Sequence, residues 1–148
     1  MASVLPAVGL PAPGTLLDVG SGNGSPGLVL ALLRDDIEAT LLEPRTRRWA
    51  FLREAARRCG EGRVHVLRGR HDTYRGAPAR TVTVRALALP LGELAPLVMP
   101  GGRLVILGGR PRPEGPFAEE TDTLPGLGDT RVFRRLPADV PRGTSPDD

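Results

Sequence analysis

The stretch LLDVGSGNGSPG, residues 16–27, constrains this chain more than any other part of its sequence. The apolar residues around Asp18 are typical of a buried strand, and the run LVLALL at 28–33 is typical of a helix. Four glycines, Gly20, Gly22, Gly24 and Gly27, therefore fall in a turn from a strand to a helix. Glycine accepts positive φ and lets a ligand approach the backbone, so the turn predicts a site for a nucleotide-type cofactor. The alternative is a tight turn with no ligand.

An acid at the end of the next predicted strand supports the ligand interpretation. The segment ATLLEP, residues 39–44, places Glu43 23 positions after Gly20. In dinucleotide folds an acid about 20 residues beyond the glycine loop accepts hydrogen bonds from a ribose diol. We therefore expect Glu43 to bind the cofactor ribose; the alternative is a solvated acid at a strand end.

Two residues favour S-adenosylmethionine over a dinucleotide. Pro26, where the helix begins, has no N–H to offer a pyrophosphate. Asp18 would repel a phosphate, whereas it suits a sulfonium cofactor, whose ammonium group it can orient directly or through a water. A nucleotide-dependent oxidoreductase stays open from the loop alone.

The pattern along the chain predicts alternating strands and helices, which is typical of a doubly wound, mostly parallel α/β sheet. We expect one domain over residues 1–136 and a disordered, proline-rich tail over 137–148. The predicted strands are 15–19, 39–42, 63–67, 81–85, 103–107 and 129–136, and the predicted helices are 26–34, 47–58 and 91–98.

Cysteine, histidine and the N-terminal residues exclude several classes. Cys59 is the single cysteine, so there is no disulfide framework, and we expect it to pack. His65 and His71 are too few and too far apart for a zinc site, so we expect no metal. The first residues have no basic start and contain three prolines, which favours neither a signal peptide nor a membrane span. We expect a cytoplasmic protein.

The charge distribution allows nucleic acid binding. The 20 basic residues are all arginine, and with 17 acids they give a net charge of +3. Twelve of the arginines lie between Arg45 and Arg85, where there are three acids. A basic segment of this kind fits RNA, although a solvated basic face is the alternative.

Four segments, taken together, resemble one family. They are LLDVGSGNGSPGLVLAL, LLEPRTRRWAFLREAARRCG, VHVLRGRHDTY and VTVRALALPLGELAPLVMPGGRLVILGG, between Gly14 and Gly109. In order and spacing they resemble the bacterial small-subunit ribosomal RNA methyltransferase G family, also called GidB-like. The resemblance implies the class I methyltransferase (Rossmann-like) fold, S-adenosylmethionine as cofactor, and methylation of a guanine at N7 in RNA of the small ribosomal subunit.

The resemblance also implies roles for individual residues. The cofactor would be held by Asp18, Gly20, Ser21, Gly22, Gly24, Glu43 and Pro44, with His71 and Asp72 at the adenine and Arg85 beside the methyl group. Arg85 would be the catalytic residue, positioning guanine or binding a neighbouring phosphate; its alternative role is a buried partner for Asp18 or Glu43. Arg47, Arg48, Arg70 and Arg131 would contact RNA.

Two departures from the family pattern bear on the substrate. Family members carry a helical segment before the first strand, where about a dozen residues stand here, and the Lys-Gly that follows their fifth strand is Gly108-Gly109. A shortened relative with another substrate, and a non-catalytic cofactor-binding or ribosome-associated module, therefore stay open as alternatives.

Overall fold

The computed structural model describes residues 9–59, 62–120 and 129–137. The chain alternates strands and helices as the sequence predicts and ends with the predicted last strand, and it adds one short strand before that strand. In chain order the elements are β1 (Gly14–Val19), α1 (Gly27–Leu33), β2 (Ile37–Glu43), α2 (Thr46–Cys59), β3 (Val64–Arg68), β4 (Ala79–Leu87), a 3-10 helix (Leu91–Leu97), β5 (Val98–Gly109), β6 (Phe117–Glu119) and β7 (Thr130–Arg135).

The seven strands found in the described ranges form one sheet with the order β3-β2-β1-β4-β5-β7-β6. Strands β1 to β5 are parallel, β7 runs antiparallel to β5, and β6 runs antiparallel to β7. The predicted α/β architecture with a mostly parallel sheet is confirmed. Because β1 lies between β2 and β4, the strand order reverses there, and the carboxyl ends of these strands form the edge where open α/β sheets bind ligands.

Alternate residues of β1 enter cores on opposite faces of the sheet, as the period of a strand requires. Leu16 packs in a cluster with residues of α1, β2 and α2, whereas Leu17 packs with residues of β4, β5 and the 3-10 helix. Helix α2 buries Leu52 and Ala56. Cys59 was predicted to pack but is exposed, because it is the last residue of α2 and does not reach the sheet.

The predicted helix at 91–98 is instead a 3-10 helix over Leu91–Leu97 with Pro96 inside it. Proline has no N–H to donate and its ring clashes with the carbonyl four residues earlier, so the segment cannot continue as an α-helix.

The chain after this helix also differs from the sequence prediction. Strand β5 begins at Val98, before the predicted start at residue 103, and it shifts register between the pairs Ala79–Val98 and Thr81–Arg103. Strand β6 was not predicted, because it has three residues in a proline-rich segment. Of the predicted tail, residues 138–148 lie outside the described residues.

Candidate functional site

The glycine loop turns over the end of β2. Gly20, Gly22 and Gly24 have φ of 70°, 55° and 95°, a region that other residues rarely adopt. The N–H groups of Gly20 and Ser21 both donate to the Leu42 carbonyl, at 2.8 and 3.0 Å. A Cβ on Gly20 would have no atom within 4 Å. The loop backbone is therefore held by hydrogen bonds on the side that faces β2, and at Gly20 it is open on the other side.

Asp18 holds this loop from beneath. Its carboxylate is 1% exposed, and it accepts hydrogen bonds from Ser21 Oγ (2.7 Å), Thr83 Oγ1 (2.7 Å) and the Gly27 N–H (3.2 Å). Burial raises the pKa of Asp18 to about 6; the hydrogen bonds from Thr83, Ser21 and Gly27 and the charge of Arg85 oppose that rise. Both oxygens of Asp18 are engaged inside the fold, and with Ser21 they position the loop. The cofactor contacts expected of Asp18, directly or through a water, and of Ser21 stay predictions.

Gly27 lies against the same carboxylate. A Cβ built there would be 2.5 Å from Asp18 Cβ and 2.6 Å from its Oδ2. Only a residue without a side chain lets the start of α1 approach Asp18 this closely.

Glu43, the predicted ribose acid, ends β2 directly under the loop. It is 2% exposed; its Oε2 accepts from the Gly22 N–H at 2.8 Å and its Oε1 accepts from the Arg45 N–H at 3.1 Å. Each carboxylate oxygen keeps further acceptor capacity. Pro44, the next residue, is exposed. The structure thus brings the second predicted acid to the glycine loop.

A cavity of about 500 Å³ adjoins the loop. It is lined by Gly20, Ser21, Gly22, Asn23, Ser25, Arg47, Arg48, Phe51, Arg85 and Ala86. Arg85 is one of the lining residues, and its Nη2 donates to Ser25 Oγ at 2.7 Å. Its buried Nε has no acceptor within the described residues. No ion pair joins Arg85 to Asp18 or Glu43 within those residues, although the charge of Arg85 lowers the pKa of Asp18. Both roles expected of Arg85 therefore stay predictions.

The four arginines expected at RNA are in different surroundings. Arg47 and Arg48 line the cavity, and Arg48 Nη1 lies 3.6 Å from where a Cβ of Gly22 would be. Arg70 lies elsewhere, with its Nε 3.5 Å from Asp72 Oδ1. Arg131 donates twice to Glu119, at 2.7 Å each, and to the Pro111 carbonyl. Arg47 and Arg48 are thus the two placed beside the glycine loop.

His71 and Asp72, expected at the adenine, line a different cavity of about 300 Å³ that also contains Glu93. His71 Nε2 lies 3.2 Å from Glu93 Oε2. The structure does not bring these two residues into the cavity beside the glycine loop.

Three residues at the site had no place in the sequence-based prediction. Thr83 lies in the predicted strand 81–85, and threonine is common in strands, so its residue type carries no signal of a site. Ser25 and Phe51 lie within quoted motifs, but nothing in their spacing assigns them a task. The available signal for Phe51 was its position three and four residues after two arginines on one predicted helix.

Neither a metal centre nor a membrane span is found where the chain is described. No cluster of three or more His, Cys, Asp or Glu side chains is placed to hold a metal ion in those ranges. No helix there is both long enough and apolar enough to cross a membrane.

The sheet order and the glycine loop define a class I methyltransferase fold, and solved structures share it. A Salinibacter ruber RNA methyltransferase in complex with S-adenosyl-L-homocysteine matches with a TM-score of 0.67 at 20% identity, over 96% of this chain and 93% of that one. The antibiotic-resistance methyltransferase Kmr matches with a TM-score of 0.62 at 21% identity, over 89% of this chain and 92% of that one.

Sequence comparison gives the family. The family model described as rRNA small subunit methyltransferase G matches residues 3–117, and the chain belongs to this family. Relatives named ribosomal RNA small subunit methyltransferase G include one from Salinispora tropica, 46% identical over 68% of this chain, and one from Kineococcus radiotolerans, 43% identical over 88% of it. The chain spans 46% and 53% of those relatives, about half their length.

Proposed function

We propose that this chain is an S-adenosylmethionine-dependent methyltransferase that methylates guanine N7 in small-subunit ribosomal RNA, in the cytoplasm. The observation that carries the proposal is the glycine loop, open above and fixed over β2, with the Glu43 carboxylate directly beneath it. Membership of the methyltransferase G family supports the substrate.

The residues present fit the cofactor. Space above Gly20 is open, since a Cβ there would meet nothing within 4 Å, and a ligand can take that space. Glu43 has acceptor capacity for a ribose diol beyond its two backbone partners. We propose that Glu43 takes the ribose, that Gly20, Gly22, Gly24 and Pro44 line the cofactor, and that Asp18 and Ser21 keep the loop in shape. The sequence-based roles of His71 and Asp72 at the adenine stay predictions.

Methyl transfer to guanine N7 needs no general base from the protein. The bound cofactor supplies an electrophilic methyl group on a sulfonium. Guanine N7 carries a lone pair at neutral pH, so the chain does not have to remove a proton from it. The task of the protein is then to hold the acceptor in line and to exclude water.

Arg85 is the residue we propose for positioning the acceptor. Its Nη2 is held by Ser25 at 2.7 Å, and its Nε has no acceptor among the described residues. A guanidinium in this state can donate to the acceptor edge of guanine or to a neighbouring phosphate.

The first experiment measures cofactor binding by calorimetry with S-adenosylhomocysteine and, separately, with NAD. We expect binding of S-adenosylhomocysteine and none of NAD. Glu43→Ala should weaken binding by about 1–3 kcal/mol, because charge-assisted hydrogen bonds to the ribose are lost. The control is Glu38→Ala on the same strand, whose exposed carboxylate pairs with His65. Equal binding by parent and Glu43→Ala would refute the assigned ribose contact.

The second experiment measures transfer of labelled methyl from the cofactor to RNA, comparing naked ribosomal RNA with isolated small subunits. We expect transfer to one of them, and Arg85→Ala should lower the transfer rate more than RNA affinity. Cofactor binding without transfer to either substrate would instead favour the non-catalytic module.

A further inference from the structure

The cavity beside the glycine loop has the charge of a site for an anion. Its lining contains three arginines, Arg47, Arg48 and Arg85, and no aspartate or glutamate. Arg47 and Arg48 have no hydrogen bond or ion pair to a carboxylate within the described residues. A phosphodiester is attracted by this lining, because its negative charge complements the guanidiniums.

One wall of this cavity is an exposed aromatic ring. Phe51 is 57% exposed, whereas Phe117 and Phe133 are 6% and 0% exposed. It lies four residues after Arg47 and three after Arg48 on α2, so the three side chains share one helix face. Trp49, on the same helix, is already stacked with Arg53 at 4.8 Å, and Phe51 has no such partner among the described residues. The Phe51 ring is thus free to take a ligand.

We propose that the α2 side of this cavity, formed by Arg47, Arg48 and Phe51, binds an unpaired RNA base stacked on Phe51, with the flanking phosphates held by Arg47 and Arg48. The cofactor proposed above takes the side formed by Gly20 and Gly22. The inference rests on the proposed RNA substrate and goes beyond it by naming the contact. An aromatic ring beside cationic side chains is the arrangement with which proteins hold single strands, because every base has a face that can stack and every linkage has a charge. A purely apolar partner would leave the three guanidiniums without counter-charges.

The test compares Phe51→Ala and Phe51→Trp with the parent chain, using a single-stranded RNA that contains 2-aminopurine and its duplex form as probes. Leu33→Ala is the matched control, since Leu33 is 52% exposed at the far end of α1. We expect Phe51→Ala to bind the single strand about tenfold more weakly and to lose the quenching of 2-aminopurine fluorescence. Phe51→Trp should keep both, and Leu33→Ala should match the parent.

Other readouts separate this inference from the proposed function. Because Phe51 is mostly exposed, Phe51→Ala should keep the melting temperature and the affinity for S-adenosylhomocysteine. If the parent binds RNA but Phe51→Ala binds equally well, the base contact is refuted and the proposed function stands. If Phe51→Ala loses S-adenosylhomocysteine instead, the cavity belongs to the cofactor and the inference is wrong. If the parent does not bind the single-stranded probe, the base contact is overturned, whereas the proposed function is decided separately by the transfer experiment with small subunits.

Discussion

At the scale of single residues, the site depends on how closely the backbone of α1 approaches Asp18. The Gly27 N–H donates to the Asp18 carboxylate at 3.2 Å, and no Cβ fits between them. The same carboxylate accepts hydrogen bonds from the hydroxyls of Ser21 and Thr83. The hydrogen bonds that the buried Asp18 carboxylate accepts therefore fix the shape of the glycine loop above it.

We predict that Gly27→Ala destabilises the protein by about 1–3 kcal/mol, because a Cβ 2.5 Å from Asp18 Cβ forces the helix away from the strand. Urea denaturation measures the change, and calorimetry should show weaker S-adenosylhomocysteine binding. Gly92→Ala is the control: a Cβ there meets nothing within 4 Å, and we expect little change in stability. Equal stability of both variants would show that the contact relaxes at no cost.

The residue patterns predicted part of this site. Asp18 and Glu43 were recognisable because each is an acid at or next to the end of a buried apolar run, and the structure brings both to the glycine loop. Their hydrogen-bond partners were not, since Thr83 joins Asp18 across 65 positions of sequence. No local pattern indicates which strand residue will face an acid on the neighbouring strand.

At the scale of elements, α2 has one pair of arginines near its start and another near its end, and the two pairs differ in their surroundings. Near its start, Arg47 and Arg48 line the cavity. Near its end, Arg57 and Arg58 donate to Glu54 at 2.8 Å each, an exposed cluster of the kind that contributes little to stability. One helix thus carries two arginine pairs of the same charge in different surroundings.

We predict that replacing Arg47 and Arg48 by glutamine lowers RNA affinity and reduces the slope of log affinity against log salt by about 1.4, or about 0.7 for each phosphate contact with a single strand. S-adenosylhomocysteine binding should change little. Anisotropy titrations across a salt series measure the slope. The matched control replaces Arg57 and Arg58 by glutamine, and its slope should equal that of the parent. If both double variants lose the same slope, binding depends on net charge alone.

The 3-10 helix shows where reasoning about elements failed. Its leucines repeat as in an amphipathic helix, and Leu91, Leu94 and Leu97 are buried as that pattern predicts. The backbone is different because Pro96 excludes the α-helical hydrogen bond. Burial was predictable from the apolar pattern, whereas the type of helix depended on one residue.

At the scale of the whole molecule, the buried Asp18 links global stability to pH. Its folded-state pKa of about 6 exceeds the ordinary aspartate value of 3.8, so the folded chain binds a proton more tightly than the unfolded chain between these values. The contribution of Asp18 to stability therefore falls as pH rises from about 4 to about 7. The difference in pKa amounts to roughly 3 kcal/mol.

We predict that Asp18→Asn, which cannot titrate, loses this dependence. The free energy of unfolding of the parent should fall relative to that of Asp18→Asn between pH 4 and pH 7, measured by urea denaturation at each pH. Glu54 and Glu119, whose pKa values are held low by arginines, lose their contributions at lower pH and are shared by both proteins. Parallel profiles across this range would show that Asp18 titrates normally in the fold.

The two edge strands of the sheet determine how readily one molecule could pair its sheet with that of another copy. Among the described residues the order ends in β3 and β6, which have five and three residues. His65 and Arg68 lie on β3, and Glu119 on β6 is paired with Arg131. Short, charged edges resist the addition of a foreign strand, which is how soluble sheets avoid aggregation. Concentrating the protein should therefore not lengthen its sheet by strand exchange or fibre growth.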